Sequence, residues 1–244
     1  MNYNSKNTII IDFFGLPGSG KTTIAHMLAK KLDNSGYDVQ ENIYIINNLF
    51  SSRKRMVLKF LCMIKYSIKN LFFLYEIFSI IGNDTFKNYR EALKQWINIC
   101  FILTNINKKN NSNFIIADQG IVQAAISLTV NTDKNKLRKI ISKLCERIVI
   151  PITFVYIDID IETDLQRLEG RINGKSRVEM YNKAENREKE LQNILLRCEE
   201  ILGLLDCIVI ENNVSTKNNQ DVLNNIVEKL LCSLKLNDYN SIIK

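Results

Sequence analysis

Thr8-Ile9-Ile10-Ile11-Asp12-Phe13-Phe14 runs directly into Gly15-Leu16-Pro17-Gly18-Ser19-Gly20-Lys21-Thr22-Thr23. The first seven residues are β-branched and aromatic and stop at a glycine, which reads as a buried strand. Beyond the turn, Ile24, Met27, Leu28 and Leu32 recur on one face, so a helix is expected from Lys21 to about Ser35, with Gly36 ending it. The connection fits G-x-x-x-x-G-K-[ST] at every fixed position and sits between a strand and a helix. Gly15, Gly18 and Gly20 let the backbone curl, so that successive N–H groups and the positive helix end face phosphate oxygens. In such a loop, formed with Pro17, Ser19 and Thr23, Lys21 reaches the β and γ phosphates of a nucleoside triphosphate and the Thr22 hydroxyl binds Mg²⁺.

Working outward, short apolar runs alternate with helical patterns, which is the pattern of a parallel sheet covered by helices on both faces. Further strands are expected at Tyr37 to Ile43, Asn113 to Ala117, Thr153 to Ile159 and Cys207 to Glu211. Asp118 ends the third of the five strands, where a carboxylate holds Mg²⁺ opposite a phosphate loop. A strand-end turn or helix cap is the structural alternative for it. An Asn-Lys-x-Asp guanine signature is lacking at any strand end, since Asn182-Lys183-Ala184-Glu185 lies in a polar helical stretch. A GTPase is therefore disfavoured. After the fourth strand, Arg167, Arg171, Lys175 and Arg177 follow, with Gly170 and Gly174 between them. Cations on a segment of this kind suit a lid that closes over a triphosphate and excludes water. A solvated basic surface paired with Glu162 and Glu169 is the alternative.

The chain has 244 residues and a net charge of +7, from 33 Lys and Arg against 26 Asp and Glu. That balance favours anionic partners without choosing among them. A hydrophobic share of 46% with 24% charged residues excludes disordered and collagen-like classes. Six cysteines without a Cys-x-x-Cys pair read as free thiols in a reducing compartment, and a single histidine, His26, excludes a metal site built on two. No secretory signal is read in the first apolar run, which is short and contains Asp12, so a cytoplasmic location is expected. The apolar stretch from Met56 to Ile81 is interrupted by Lys59, Lys65, Lys69 and Glu76, which argues against a bilayer-spanning helix.

The region from Ser51 to Asn105 reads as helical, with a break at Gly82-Asn83-Asp84. In its first part, Lys54, Arg55, Lys65, Lys69 and Glu76 share one face, and Val57, Phe60, Ile64, Leu71, Leu74 and Phe78 share the other. The apolar face is expected to pack on the core or on a second subunit, with a membrane-surface helix as the alternative. Trp96, Phe72, Phe73, Tyr75 and Phe78 are expected to be core or groove lining, and nucleic acid is not an expected partner.

Together, the glycine loop with Lys21-Thr22-Thr23, the strand end Asp118-Gln119-Gly120 and the run from Tyr156 through Asp158, Asp160, Arg167 and Arg171 resemble P-loop nucleoside and nucleotide kinases of the thymidylate kinase type. The resemblance covers most of the chain outside Asn42 to about Ser112. It implies an α/β fold of three layers over 1–244, a five-stranded parallel sheet in order 2-3-1-4-5 with flanking helices, a helical insert at about 44–112 and a lid at about 167–180. It also implies ATP and Mg²⁺ as cofactors, Arg167, Arg171 and Arg177 at the lid, and an adenine contact around Asn212-Asn213-Val214, taken here as Asn213. Glu41, at the end of the second strand, is similar to a glutamate that acts as base on a hydroxyl acceptor in nucleoside kinases. The chain departs from the pattern at Gln119, where an arginine is usual, and at Gln40-Glu41-Asn42, where Arg-Glu-Pro is usual. Arg90 is a candidate contact for an acceptor phosphate.

The expected function is transfer of the γ-phosphoryl of Mg-ATP to a small acceptor, a nucleoside or nucleoside monophosphate first. A phosphosugar or lipid-linked acceptor is the second reading, and a nucleotide-gated module without transfer is the third. A homodimer and peripheral membrane contact are both compatible with the sequence.

Overall fold

In a computed structural model of the chain, the described residues are 8–81, 89–107, 112–130, 134–170, 178, 184–213 and 220–234. Five strands, β1 (Ile9–Gly15), β2 (Val39–Gln40), β3 (Phe114–Ala117), β4 (Ile152–Asp158) and β5 (Cys207–Glu211), form one parallel sheet in the order β2-β3-β1-β4-β5. This is the expected order. β1 lies at the centre, with Ile10 opposite Ile115 of β3 and Ile152 of β4. Because side chains alternate across a strand, successive β1 residues feed two separate cores. Ile10 and Phe14 enter one of them, and Ile11 and Phe13 enter the other.

The second core is closed by α1 (Lys21–Asn34) and α10 (Gln220–Ser233), which contribute Ile24, Leu28, Ile226 and Leu230. Over the opposite face lie α5 (Tyr89–Ile106), α6 (Ile121–Thr129), α7 (Lys134–Cys145) and α9 (Ala184–Leu202). The same side carries α2 (Asn42–Leu49), α3 (Ser52–Lys69) and α4 (Leu71–Ile81), while α8 (Ile161–Glu169) follows β4. Asp160 caps α8, accepting the Thr163 N–H at 2.7 Å.

Two expectations are corrected. The second strand, read as Tyr37 to Ile43, pairs only at Val39 and Gln40. From Asn42 the chain is already helical, because Ile43 and Ile46, three residues apart, pack into the core on one face of α2. The helical region after it was read as continuous to Gly82, but Asn70 breaks it, its side chain turning back to the Tyr66 carbonyl at 2.9 Å. The break releases α3 and α4 from a common face. In α3 the inward stripe is Cys62, Met63 and Tyr66, and in α4 it is Phe73 and Ile77. The face expected to be buried instead looks out: Val57, Phe60 and Leu71 are 58%, 45% and 68% exposed. Of the aromatics expected in the core, Phe73 and Trp96 are there, whereas Phe72 and Tyr75 are both 72% exposed. The Gly82 to Asp84 break lies outside the described residues.

Candidate active site

The loop between β1 and α1 is shaped by close approaches that a side chain would prevent. Gly15 has φ 148, and a Cβ there would stand 2.6 Å from the Ile157 carbonyl oxygen. Gly20, the N-cap of α1, has φ 83, a left-handed conformation glycine adopts freely. A Cβ on Gly18 would lie 2.3 Å from Asp164 Oδ1. The N-cap of α1 is a glycine with no side chain to bond the first turn, and this positive helix end faces the side of the loop where an anion would be bound.

Lys21 is buried and folds back over the loop, donating to the Leu16 carbonyl at 2.6 Å and the Gly15 carbonyl at 3.2 Å. Thr22 donates through its hydroxyl to Asp118 Oδ2 at 3.0 Å, joining α1 to the end of β3. Asp118 is 2% exposed, and burial pushes its pKa up against the opposing pull of Thr22 and Lys21. Its Oδ1 and the Ser19 hydroxyl are buried with no hydrogen-bond partner among the described residues. An orphaned carboxylate oxygen beside a hydroxyl fits a hard cation such as Mg²⁺, which takes one or two protein oxygens and completes its shell with water and phosphate. Among the described residues, no group of three or more His, Cys, Asp or Glu is arranged to hold a metal.

Around this pair the structure gathers residues that the sequence reading left apart. Asp12, on β1 beneath the loop, is 0% exposed and accepts the Ile121 N–H at 2.8 Å and the Val122 N–H at 3.4 Å, clamping the start of α6. Gly120 makes that approach feasible, since a Cβ there would lie 2.1 Å from Asp12 Oδ1. Gln123 accepts the Gly15 N–H at 3.2 Å. Asp164, fully buried on α8, lies against Gly18.

Glu41 follows β2 and stands at the N-cap position of α2, where its side chain bonds not the helix but His26. His26 Nδ1 lies 3.0 and 3.1 Å from its two carboxylate oxygens, and the imidazole stacks on Tyr44 with ring centroids 4.2 Å apart. Burial raises the Glu41 pKa, His26 opposes the rise and the charge of Asp118 adds to it, so the two carboxylates feel one another. From the inner face of α3, Lys59 donates to Asn98 Oδ1 at 2.9 Å and sits 4.9 Å over the Phe101 ring. Burial brings its pKa down to about 8, helped by Arg55 and opposed by Asp118. Only chain folding could bring Lys59 towards Asp118; in the sequence it is one lysine among many.

At the far end of the loop, Arg167 donates to the Asn212 carbonyl at 2.8 Å and to the Gly18 carbonyl at 3.4 Å. Asn212 in turn donates from Nδ2 to the Ser19 carbonyl at 2.7 Å. Asn213, the residue expected at a base, is exposed, and its side chain accepts the Asp160 N–H at 2.9 Å, while its neighbour Asn212 is the one that touches the loop. Thr23 is exposed on the first turn of α1 and Pro17 is half-buried. Arg171 and Arg177 lie outside the described residues, as does the side chain of Arg90.

A central strand feeding a glycine loop, a lysine folded over it and a Thr–Asp pair across two strand ends define a P-loop protein built to bind a nucleoside triphosphate. The model of the ATPase family associated with various cellular activities (AAA) matches residues 11–156, more than half of the chain, which belongs to that family. In fold the chain is similar to a thymidylate kinase from Ehrlichia chaffeensis, with 16% identity over 94% of this chain and 100% of that one and a TM-score of 0.47. It is also similar to a shikimate kinase from Bacteroides thetaiotaomicron, with 13% identity over 94% and 98% of the two chains and a TM-score of 0.47. No curated protein matches it in sequence.

Proposed function

We propose that the protein transfers the γ-phosphoryl of ATP to a small acceptor, a nucleoside or nucleoside monophosphate. The observation that carries this reading is the half-buried Glu41–His26 pair at 3.0 Å, close enough to Asp118 for that carboxylate's charge to raise the Glu41 pKa. A carboxylate held by an imidazole at that place suits removal of a proton from an attacking hydroxyl. This favours a hydroxyl over a phosphate as the group that attacks.

In this proposal the loop amides and Lys21 hold the β and γ phosphates, with Lys21 exchanging its loop carbonyls for phosphate oxygens. Thr22 and Asp118 would hold Mg²⁺, which supplies charge neutralisation on the phosphates when bound. Arg167, tied to Gly18 and Asn212, would fix one end of the loop, and Arg171 and Arg177 would supply further cations to the transferring group. Asn213 keeps the turn after β5 in place from the Asp160 side. Catalysis on this account is positioning and electrostatic stabilisation.

A second reading, a nucleotide-driven switch that releases phosphate without an acceptor, is favoured by the match to an ATPase family. Incubation with Mg-ATP and a panel of nucleosides, nucleoside monophosphates, phosphosugars and polyprenyl phosphates, followed by mass detection, separates the two. A phosphorylated nucleoside supports transfer to a hydroxyl as proposed, and a nucleoside diphosphate supports transfer while removing the base role of Glu41. A sugar or lipid product reassigns the acceptor, and free phosphate alone supports the switch.

A further inference from the structure

We propose that the outer face of α3 and α4 docks on the surface of an anionic lipid bilayer. α3 carries two apolar stripes, one packed on the core and one turned away from it. Met56, Leu61 and Ile68 on that stripe are 68%, 56% and 71% exposed. Beyond the break at Asn70, Leu71, Phe72 and Tyr75 of α4 are exposed as well, at 68%, 72% and 72%. With Val57, Phe60 and Ile64 between them, and large side chains presenting roughly 150 to 250 Å² each when bare, the patch is on the order of 1,000 Å², above the roughly 300 to 600 Å² of an ordinary monomer surface.

Charge decides what covers it. Arg53, Lys54, Lys65 and Lys69 are exposed along the same helix, beside the apolar stripe. From Asn42 to Ile81 the one acidic residue is Glu76, which is turned to Lys143 at 3.3 Å and Arg147 at 3.8 Å on the α7 side. A second copy packed isologously on this patch would set those cations against their own counterparts with no carboxylate of the patch to pair them. An anionic lipid surface meets both features at once, taking the apolar stripe into the acyl boundary and the lysines at the headgroups. No described helix is long and apolar enough to cross a membrane, so the contact is one of lying on the surface. The inference does not depend on phosphoryl transfer.

The full chain, sedimented with vesicles of phosphatidylcholine or of equal parts phosphatidylcholine and phosphatidylglycerol, tests it. Binding to the anionic vesicles, weakened by added salt and nearly absent on the neutral ones, is expected. Each exposed lysine near such a surface contributes about fivefold, so Lys65→Ala with Lys69→Ala should lower partition about 25-fold. Phe72→Asp should abolish it, and both variants should keep the parent's ATP affinity. Equal partition into neutral and anionic vesicles, or none into either, overturns the proposal. So does a dimer in sedimentation velocity that Phe72→Asp disperses while vesicles remain unbound, because the face would then join two copies.

Discussion

Replacing Asp12 by Asn should change how the stability of this protein depends on pH. The carboxyl is 0% exposed, accepts two N–H groups from the start of α6 through Oδ2, and has no hydrogen-bond partner for Oδ1 among the described residues. Burial pushes its pKa from 3.8 to about 7, the largest cause, with the two amides opposing and Asp118 adding. Between those values the folded protein keeps a proton that the unfolded chain has released. Stability from this group is therefore complete below about pH 4, falls as the pH rises, and is gone above about pH 7. The interval is about three pH units, and at ~1.36 kcal/mol per unit it is worth about 4 kcal/mol. Asn is neutral at every pH and its carbonyl can still accept from Ile121 and Val122, so the variant lacks this slope; its unpaired amide adds about 1 to 3 kcal/mol of cost that does not vary with pH. Urea unfolding of both proteins from about pH 4.5 to about 7.5 should show their stability difference changing by about 3 kcal/mol, close to 1 M in midpoint for an m of ~3 kcal/mol/M. Titrating groups that do not sense Asp12, Glu41 among them, cancel in that difference, whereas Asp118, whose charge helps to raise the Asp12 pKa, contributes a smaller part of the change. A difference constant across the range would mean that Asp12 is ionised in the fold, and the reasoning would fail.

Asp118→Ala should raise the Mg²⁺ concentration needed for half-maximal turnover, and an unchanged Mg²⁺ dependence would return Asp118 to a strand-end role. Glu41→Gln should lower kcat by roughly 10² to 10⁴ on a hydroxyl acceptor, the range of a positioned base, while a rate within about twofold of the parent removes Glu41 from the mechanism. Gly18→Ala should weaken ATP binding, because the new methyl meets the Asp164 carboxyl at 2.3 Å. Trimming that carboxyl in Gly18→Ala with Asp164→Ala should restore part of the affinity, and strictly additive losses in the cycle would show that the two positions do not touch in the loop.

The sequence made the nucleotide loop legible because glycine spacing, strand and helix are all local. Asp118 was legible for the same reason, as the polar end of an apolar run. Strand order followed from resemblance alone, since nothing in a single strand states its neighbours. What escaped was assembled by long-range folding. His26 sits off the apolar stripe of its helix and gains meaning only when β2 ends with Glu41 beside it. Asp12 looked like a polar interruption in an apolar strand, and its partners are more than a hundred residues away. The apolar face of α3 was expected on the core or on a second subunit, and the core is not what it meets, because hydrophobic periodicity marks a stripe without saying what it faces. A single asparagine that breaks the helix, Asn70, changed the phase of everything after it.

The central claim is that a nucleoside triphosphate lies on the loop from Gly15 to Thr22 with its phosphates at Lys21. Lys21 is buried and bonded to the loop, so Lys21→Met, which keeps the apolar stem, is a better replacement than alanine. Calorimetric titration with Mg-ATP, with thermal unfolding run beside it as a check on the fold, is the most direct measurement. The account predicts saturable binding of ATP by the parent chain and at least about tenfold weaker binding by Lys21→Met, the loss of ~1.4 kcal/mol expected for one charge-assisted phosphate contact, in a protein that still unfolds cooperatively. Equal ATP affinity in a folded Lys21→Met protein would contradict it.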